Sequence, residues 1–264
     1  MSSLSDVSIC IKTFLRDSKL YKTISDIRRT MSEAQLLIAD DGEMTEEKDL
    51  IYAELIREGH KVFILPFDSG FGKKANKIID NLDRPYTLVG SDDFDFAPPS
   101  VRVGVQKAVV VLDQNSELDI ASGRLTNRGP YEFELIDKGD EIIERPIDTN
   151  FHEYAHSIGL TDYIPCDVTV NYSLIRSDVF QKVRFDEEEI IGEGGHGTFF
   201  LDCKRTGINV GWVPSFEISE QTGNDDERYK QFRRRACGLS RACFKKRGIK
   251  RWTLGSGQVD YEEK

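Results

Sequence analysis

Short apolar runs alternate with amphipathic stretches along the N-terminal part of the chain. The apolar runs are rich in β-branched residues, which is typical of strands buried on both faces. Between them, apolar residues recur at three- and four-residue spacing, as in "DSKLYKTISDIRRT", which predicts a helix after each of the first three strands. This βαβαβαβ order predicts a mostly parallel sheet with helices on both faces. The four predicted strands contain "VSICIKT", "LLIAD", "KVFIL" and "YTLVG".

The pattern becomes less regular after residue 97. Pro98 and Pro99 open a run with helical spacing. Three short apolar runs then predict strands that are antiparallel to one another. They are "LDIASGRL", "YEFELIDKG" and "EIIERPI". Farther along, the glycine-rich "GEGGHG" enters another helix and "INVGWVP" predicts a strand, whereas the closing "LGSGQVDYEEK" is expected to be loose.

Composition favours a cytoplasmic globular protein. The 264 residues are 39% hydrophobic and 31% charged, which is ordinary for a chain that buries a full core. No apolar run approaches the roughly 20 residues that a membrane-spanning helix needs. The start "MSSLSDVSICIK" lacks the basic region of a signal peptide. The five scattered cysteines include no CxxC pair, so we expect reduced thiols.

Charge is distributed unevenly along the sequence. The net charge is −10, yet residues 228–251 contain eleven Lys or Arg and no Asp or Glu. Such a segment suits an anionic partner, a membrane surface or nucleic acid. It equally suits a solvated helix surface that neutralises the acidic remainder of the same chain. The sequence leaves both interpretations open.

Carboxylates gather where the predicted parallel strands end. Asp40 and Asp41 follow the second strand, and Asp92, Asp93 and Asp95 follow the fourth within "LVGSDDFDF". The carboxyl ends of parallel strands meet at one edge of the sheet, where ligands bind. Carboxylates so close together repel one another unless a cation or a donor lies between them. The pattern predicts a metal and phosphate site, although each cluster alone also fits an acidic turn.

Five motifs in order carry a resemblance to a known family. They are "VSICIKTFLR", "LLIADDGE", "PFDSGFGKKAN", "YTLVGSDDFDF" and "GEGGHGTFFLDCKRTGINVGWVP". Together they resemble the successive motifs of family 2-type glycosyltransferases with the GT-A fold, and are most similar to the branch that includes the β-1,4-N-acetylgalactosaminyltransferases. The resemblance implies a Rossmann-like nucleotide-binding α/β fold and a nucleotide-sugar donor, usually a UDP-sugar. It also implies a divalent cation, Mn or Mg, and inversion at the anomeric carbon.

The resemblance implies donor-binding roles at the ends of three strands and in the glycine-rich segment after "KVFIL". Asp41 matches the acid that binds uracil, with Asp40 beside it, and Asp92 matches the acid that binds ribose. Lys74 takes over from an arginine that often precedes Asn76 in relatives. The full set of implied donor contacts is Thr13, Arg16, Asp40, Asp41, Lys74, Asn76 and Asp92.

The resemblance also implies a metal ligand and a general base. Asp93 matches the metal-binding acid, and Asp95 is a candidate second ligand. Glu220 stands where relatives often have a metal-binding histidine. A general base must take the proton from the attacking hydroxyl. His196 and Glu193 suit this role almost equally, since a neutral imidazole and a carboxylate both accept a proton as the new bond forms.

The residues and the resemblance together predict an inverting, metal-dependent glycosyltransferase that moves a sugar from a nucleotide sugar to an acceptor hydroxyl, on a glycan or another molecule. We expect residues 1–220 to form the glycosyltransferase domain, with residues 1–97 binding the donor and residues 98–220 the acceptor. Residues 221–264 are expected to form a basic helical extension. A polyanionic acceptor such as modified DNA, peripheral membrane binding, and a nucleotide-binding module without transferase activity stay open as alternatives.

Overall fold

A mixed eight-stranded sheet forms the centre of the computed structural model, which describes residues 2–129, 131–147, 154, 159, 162–191, 195–223, 227–236 and 240–263. A smaller four-stranded sheet lies beside it. In chain order the strands are β1 (Val7–Thr13), β2 (Gln35–Asp40), β3 (Lys61–Ile64), β4 (Tyr86–Ser91), β5 (Ile120–Leu125), β6 (Phe133–Asp137), β7 (Glu141–Pro146), β8 (Ile164–Cys166), β9 (Ser173–Arg176), β10 (Val210–Ile218), β11 (Arg251–Thr253) and β12 (Val259–Glu262).

The central sheet has the strand order β3-β2-β1-β4-β9-β5-β10-β8. Its first four strands are parallel, as the alternating pattern predicts. Strand β9 is antiparallel to both of its neighbours, and β8 is antiparallel at the far edge. The sequence pattern groups β5 with β6 and β7, but β5 lies between β9 and β10 because its residues are buried on both faces. The predicted fold class, a mixed and mostly parallel sheet flanked by helices, is confirmed.

Helices cover both faces of the central sheet, because side chains along a strand point alternately to either side. Ile9 of β1 belongs to the apolar core on one face, whereas its neighbour Cys10 packs with Ile78 on the other. The helices are α1 (Asp17–Thr30), α2 (Glu46–Arg57), α3 (Phe71–Ile79), α4 (Pro99–Gln114), α5 (Gly195–Arg205), α6 (Glu227–Arg233) and α7 (Ser240–Lys246). Helices α1, α2 and α4 pack on the first face of the sheet, and α3 and α5 pack on the second.

The second sheet corrects the expectation of a loose tail. Strands β6 and β7 form the predicted antiparallel pair. Strand β11 then pairs in parallel with β7, and β12 pairs antiparallel with β11. Trp252 and Tyr261 are buried against Phe244 of α7, and the Trp252 indole N–H donates to Glu144 at 3.0 Å. The tail strands are too short for a periodic signal, and their partner β7 lies far away in sequence.

Two further expectations concern membranes and thiols. Among the described residues, no helix is long and apolar enough to cross a membrane. The cysteines at positions 10, 166, 203 and 243 are buried and free, as expected, while Cys237 lies outside the described residues.

The buried Trp252 provides a test of the second sheet. We expect Trp252→Ala to lower the free energy of unfolding by about 3–5 kcal/mol, because it leaves a large cavity and removes the indole partner of Glu144. Urea denaturation followed by far-UV circular dichroism measures this change. The matched control is Leu50→Ala, which removes an exposed apolar side chain of α2. Equal stability of the two variants would mean that the tail is not packed.

Candidate functional site

A pocket of about 220 Å³ opens at the carboxyl ends of β1, β2 and β4. The parallel strands place their terminal side chains side by side there, as the sequence predicts. The loops that follow β3, β9 and β10, together with α3 and α6, supply the other walls. Five of the predicted site residues line this pocket: Thr13, Arg16, Asp41, Lys74 and Asp93.

Asp92 lies directly beneath the pocket and is fully buried. It accepts a hydrogen bond from Thr13 Oγ1 at 2.8 Å and forms an ion pair with Arg16. The same guanidinium reaches Asp93 Oδ2 at 2.6 Å, so Arg16 bridges the two adjacent carboxylates. Leu15, between Thr13 and Arg16, has a positive φ of 53°, which is uncommon for a non-glycine residue. This turn lies between the end of β1 and Arg16, whose guanidinium reaches the acids that follow β4.

The surroundings shift the pKa values of Asp92 and Asp93 in opposite directions. Burial raises the pKa of Asp92, although the charge of Arg16 opposes that shift. Burial also acts to raise the pKa of Asp93, but Arg16 and the hydroxyl of Ser91 outweigh it and lower the pKa. Asp93 is therefore the more readily ionised of the pair, and it is also the one that faces the pocket.

Asp41 and Lys74 form a second ion pair in the pocket. The Lys74 ammonium donates to Asp41 Oδ1 at 2.5 Å and to the carbonyl oxygen of Thr13 at 3.0 Å. The backbone N–H of Gly70 donates to Asp41 Oδ2 at 2.8 Å. Lys12 lines the same pocket, and burial, assisted by the charge of Lys74, lowers the pKa of Lys12 to about 8. The pocket thus contains both anionic and cationic groups within one small volume.

The structure does not bring Asp40, Asn76 or Asp95 into the pocket. Asp40 is buried with Lys48 at 3.0 Å and the Tyr52 hydroxyl at 2.6 Å. The Asn76 side chain hydrogen-bonds to the backbone carbonyl and N–H of residue 185 at 2.8 and 3.2 Å. The Asp95 carboxylate pairs with Lys22 at 2.6 Å. Each of these polar groups therefore has a partner within the chain, away from the pocket.

The structure does not describe the side chains of the two candidate bases. Glu193 lies in residues 192–194, which the structure does not describe. His196 lies in the first turn of α5, but its side chain is likewise not described. Ile191, two positions before Glu193, lines the pocket. Both roles stay predictions.

Helix α6 supplies pocket residues that the sequence interpretation missed. Phe232 packs against Phe14 and Phe67, with ring centroids 5.1 and 5.7 Å apart, and the Tyr229 ring lies 4.6 Å from the Arg16 guanidinium. Tyr229 and Phe232 are three residues apart, which places them on one side of a helix. That spacing was the only signal of this wall. The pocket-lining residues of α6 and the turn after it are Tyr229, Phe232, Arg233 and Arg235.

Many cations of the basic segment pair with carboxylates of the same chain. Arg228 pairs with Glu43, and Arg235 with Asp68. Farther along, the guanidinium of residue 247 bridges two acids of the body, at positions 186 and 202. These pairs agree with the interpretation in which the segment neutralises its own acidic body. Predicted contacts of this segment with an anionic acceptor, a membrane or nucleic acid gain no support from them.

The oxygen groups of the pocket fit a divalent cation only in part. Asp93 is a carboxylate facing the pocket, while the Glu220 carboxylate at the rim is paired with Arg128 at 2.7 Å. Among the described residues, no three His, Cys, Asp or Glu side chains come together as a metal site. Mg²⁺ is commonly held by one or two carboxylates together with substrate phosphates and water. The set therefore fits a cation that a bound phosphate helps to hold.

Comparison with known proteins agrees with the motifs. No protein-family model matches the chain. It is 28% identical over 219 residues to β-1,4 N-acetylgalactosaminyltransferase 2 of Mus musculus, an alignment that covers 81% of this chain and 39% of the mouse protein. The chain therefore spans well under half the length of that relative. The predicted sequence resemblance is confirmed.

Solved structures confirm the fold. S. aureus TarS in complex with UDP-GlcNAc superposes with a TM-score of 0.56 at 11% identity, covering 83% of this chain and 60% of that one. GalNAc-T7 with UDP, GalNAc and Mn²⁺ gives a TM-score of 0.58 at 12% identity, covering 82% of this chain and 44% of that one. At such identities the likeness concerns the fold, which is that of GT-A glycosyltransferases.

The placement of Asp40 generates a test. We expect Asp40→Ala to lower the free energy of unfolding by about 3 kcal/mol, because the fully buried Lys48 loses one of its carboxylate partners. Urea denaturation measures the change, and Glu43→Ala, which removes an exposed partner of Arg228, is the control with little expected effect. If Asp40→Ala had the stability of wild type but lost ligand binding, Asp40 would instead be a ligand-binding residue of the pocket.

Proposed function

We propose that this chain, which is similar in sequence to β-1,4-N-acetylgalactosaminyltransferases and has the GT-A fold, is a glycosyltransferase domain that uses a UDP-sugar donor. The observation that carries the proposal is the pocket at the ends of β1, β2 and β4. It combines Asp41 and Asp93 with the cations Lys12, Arg16 and Lys74 in one small pocket. A nucleoside diphosphate sugar presents both hydrogen-bond donors and phosphates to such a pocket.

The nucleoside end of the donor would lie near Asp41. An ionised carboxylate accepts hydrogen bonds only, so Asp41 suits the imide N–H of uracil. Lys74 and Gly70 hold this carboxylate in place before the donor arrives. Thr13 and Asp92 would stand at the ribose end, and Asp92 would reach a ribose hydroxyl once Arg16 withdraws from it.

The diphosphate would meet the cationic side of the pocket. Lys12 and Lys74 lie at the end of β1 and the start of α3, and Arg233 and Arg235 approach from α6 and the turn that follows it. Asp93 is the residue that would hold Mn or Mg. The cation, when bound, would stabilise negative charge on the departing nucleoside diphosphate. The residues of this chain would orient the donor and exclude water around it.

Transfer would proceed with inversion, by direct attack of an acceptor hydroxyl on the anomeric carbon. His196 or Glu193 would take the hydroxyl proton as the bond forms. We propose that residues 1–97 bind the donor and residues 98–220 the acceptor, which is a glycan or another hydroxyl compound. No specific observation favours a polyanionic acceptor, because the cations of residues 228–251 largely pair within the chain.

A donor panel tests the proposal. We expect UDP-sugars to raise the melting temperature, and Mn²⁺ to increase that shift, because Asp93 and the diphosphate would share the cation. Thermal shift and donor hydrolysis are measured for UDP- and GDP-sugars with Mn²⁺ or EDTA. Asp93→Ala should abolish the Mn²⁺-dependent part of the shift, while the control Asp95→Ala should retain it. If no nucleotide sugar shifts the melting temperature, the chain is not a donor-binding transferase.

The choice of base has its own test. We expect His196→Ala to leave the donor-induced thermal shift intact and to lower kcat by about 10²–10⁴-fold, the usual contribution of a general base. Turnover is measured as UDP release with the acceptor that supports it, alongside Glu193→Gln. Wild-type turnover in the histidine variant together with loss in the glutamine variant would assign the base to Glu193.

The lowered pKa of Lys12 predicts a pH dependence. Below pH 8 the Lys12 ammonium is charged and attracts phosphate, so the affinity for UDP without metal should fall severalfold as the pH rises above about 8. Lys12→Met should remove this step and bind UDP more weakly at pH 7. Because the folded pKa lies below the ordinary value of 10.5, the free energy of unfolding should rise between these two pH values. Calorimetric titration at several pH values measures the affinity.

A further inference from the structure

The Arg16 guanidinium lies between the carboxylates of Asp92 and Asp93, which directly follow β4. Its Nε and Nη2 atoms both bond to Asp92, and its Nη1 bonds to Asp93 Oδ2 at 2.6 Å. The side chain of Arg16 is only 12% exposed. A monovalent cation of this chain is therefore held where a divalent cation would need the Asp93 oxygens.

The same guanidinium is enclosed from the side of α6. The Tyr229 ring lies 4.6 Å from Arg16 Cζ, within the range of a cation–π contact. Phe232, one turn farther along α6, packs against Phe14 of the β1 loop. The second oxygen of Asp93 accepts a hydrogen bond from the Ser91 hydroxyl. Both oxygens of Asp93 thus already have donors from the chain itself.

A divalent cation at Asp93 would stand next to this guanidinium, and two cations a few ångström apart in a partly buried site repel one another. Within the part of the chain that the structure describes, no cluster of three ligand side chains compensates for that repulsion. A diphosphate changes the balance. Arg binds phosphate oxygens in bidentate fashion, and the metal gains phosphate oxygens as ligands. The donor therefore offers new partners to both cations at once.

We propose that Arg16 is a displaceable internal cation that keeps the divalent-metal position closed until a nucleoside diphosphate draws the guanidinium onto its phosphates. Nucleotide and metal then bind with positive coupling, each raising the affinity for the other. The withdrawal of Arg16 also frees Asp92 for the ribose. This inference rests on the proposed function, since it takes the ligand of the pocket to be a nucleoside diphosphate.

The experiment measures Mn²⁺ binding by electron paramagnetic resonance, in which free hydrated Mn²⁺ gives the signal. We expect wild-type protein to bind Mn²⁺ at least tenfold more weakly without UDP than with it, a coupling of ordinary allosteric size. Arg16→Met should bind Mn²⁺ alone at least tenfold more tightly than wild type and show a smaller coupling, the part that remains being due to the phosphate oxygens that coordinate Mn²⁺ directly. Equal Mn²⁺ affinity of wild type with and without bound UDP would overturn the proposal, as would no gain in the variant.

Two further variants guard against indirect effects. Lys22→Met removes a cation that pairs with Asp95 outside the pocket, so its Mn²⁺ affinity should equal that of wild type. An equal gain in Lys22→Met and Arg16→Met would reduce the effect to general charge and overturn the proposal. If Arg16→Met does not fold, as judged by circular dichroism, Arg16→Lys decides. Lysine lacks the fork that spans both acids, so a tighter Mn²⁺ complex supports the proposal and an unchanged one overturns it.

Failure of the proposed function gives a different result. If wild type binds no UDP with or without Mn²⁺, the proposed function fails. The Mn²⁺-only comparison of wild type with Arg16→Met still decides whether Arg16 closes the metal position. A gain there supports the role of Arg16, and its absence rejects it.

Discussion

The buried acids at the carboxyl ends of the parallel strands must each be neutralised by a cation of the chain. The architecture of the pocket depends on this constraint. A buried carboxylate without a partner is too costly to keep ionised. Asp41 has Lys74, and Asp92 has Arg16. Both cations lie in a segment that follows a parallel strand, as the acids do. The alternation of strands and helices therefore places the carboxylates and their cationic partners at the same edge of the sheet. The same pairs preset the positions of the groups that we expect to meet the donor.

The consecutive acids at the end of β2 show how strand geometry divides roles. Asp40 is in phase with Leu36 and Ile38, which face the core built with α1 and α2. Asp41 is in phase with Leu37 and Ala39, which face α3. The first acid therefore meets a buried lysine of α2, and the second meets Lys74. Side chains alternate between the two faces of a strand, so consecutive acids point to opposite faces. This alternation can be read from the sequence, and it predicts different surroundings for Asp40 and Asp41, which the motif treats as one group.

The sequence predicted the parallel half of the sheet and the edge where the pocket lies, because both depend on local periodicity and on a short-range motif. It did not predict that Asn76 turns toward the backbone of residue 185, or that Phe232 reaches Phe14. These are contacts between segments far apart in the chain, and nothing in the local pattern selects the partner. The basic run was similarly ambiguous, since a row of cations looks the same whether its partners lie in another molecule or, as with Arg228 and Glu43, in the same one.

The parallel pairing of β11 with β7 has a mechanical consequence for the wall formed by α6. The segment that carries this helix leaves from β10 in one sheet and ends at β11 in the other. A segment fixed at both ends samples fewer conformations than a free tail, so ordering it costs less entropy. Tyr229 and Phe232 therefore take part of their order from a strand that does not line the pocket. The small sheet holds one end of this segment, so a substitution in its strands would be felt at a pocket that these strands do not line.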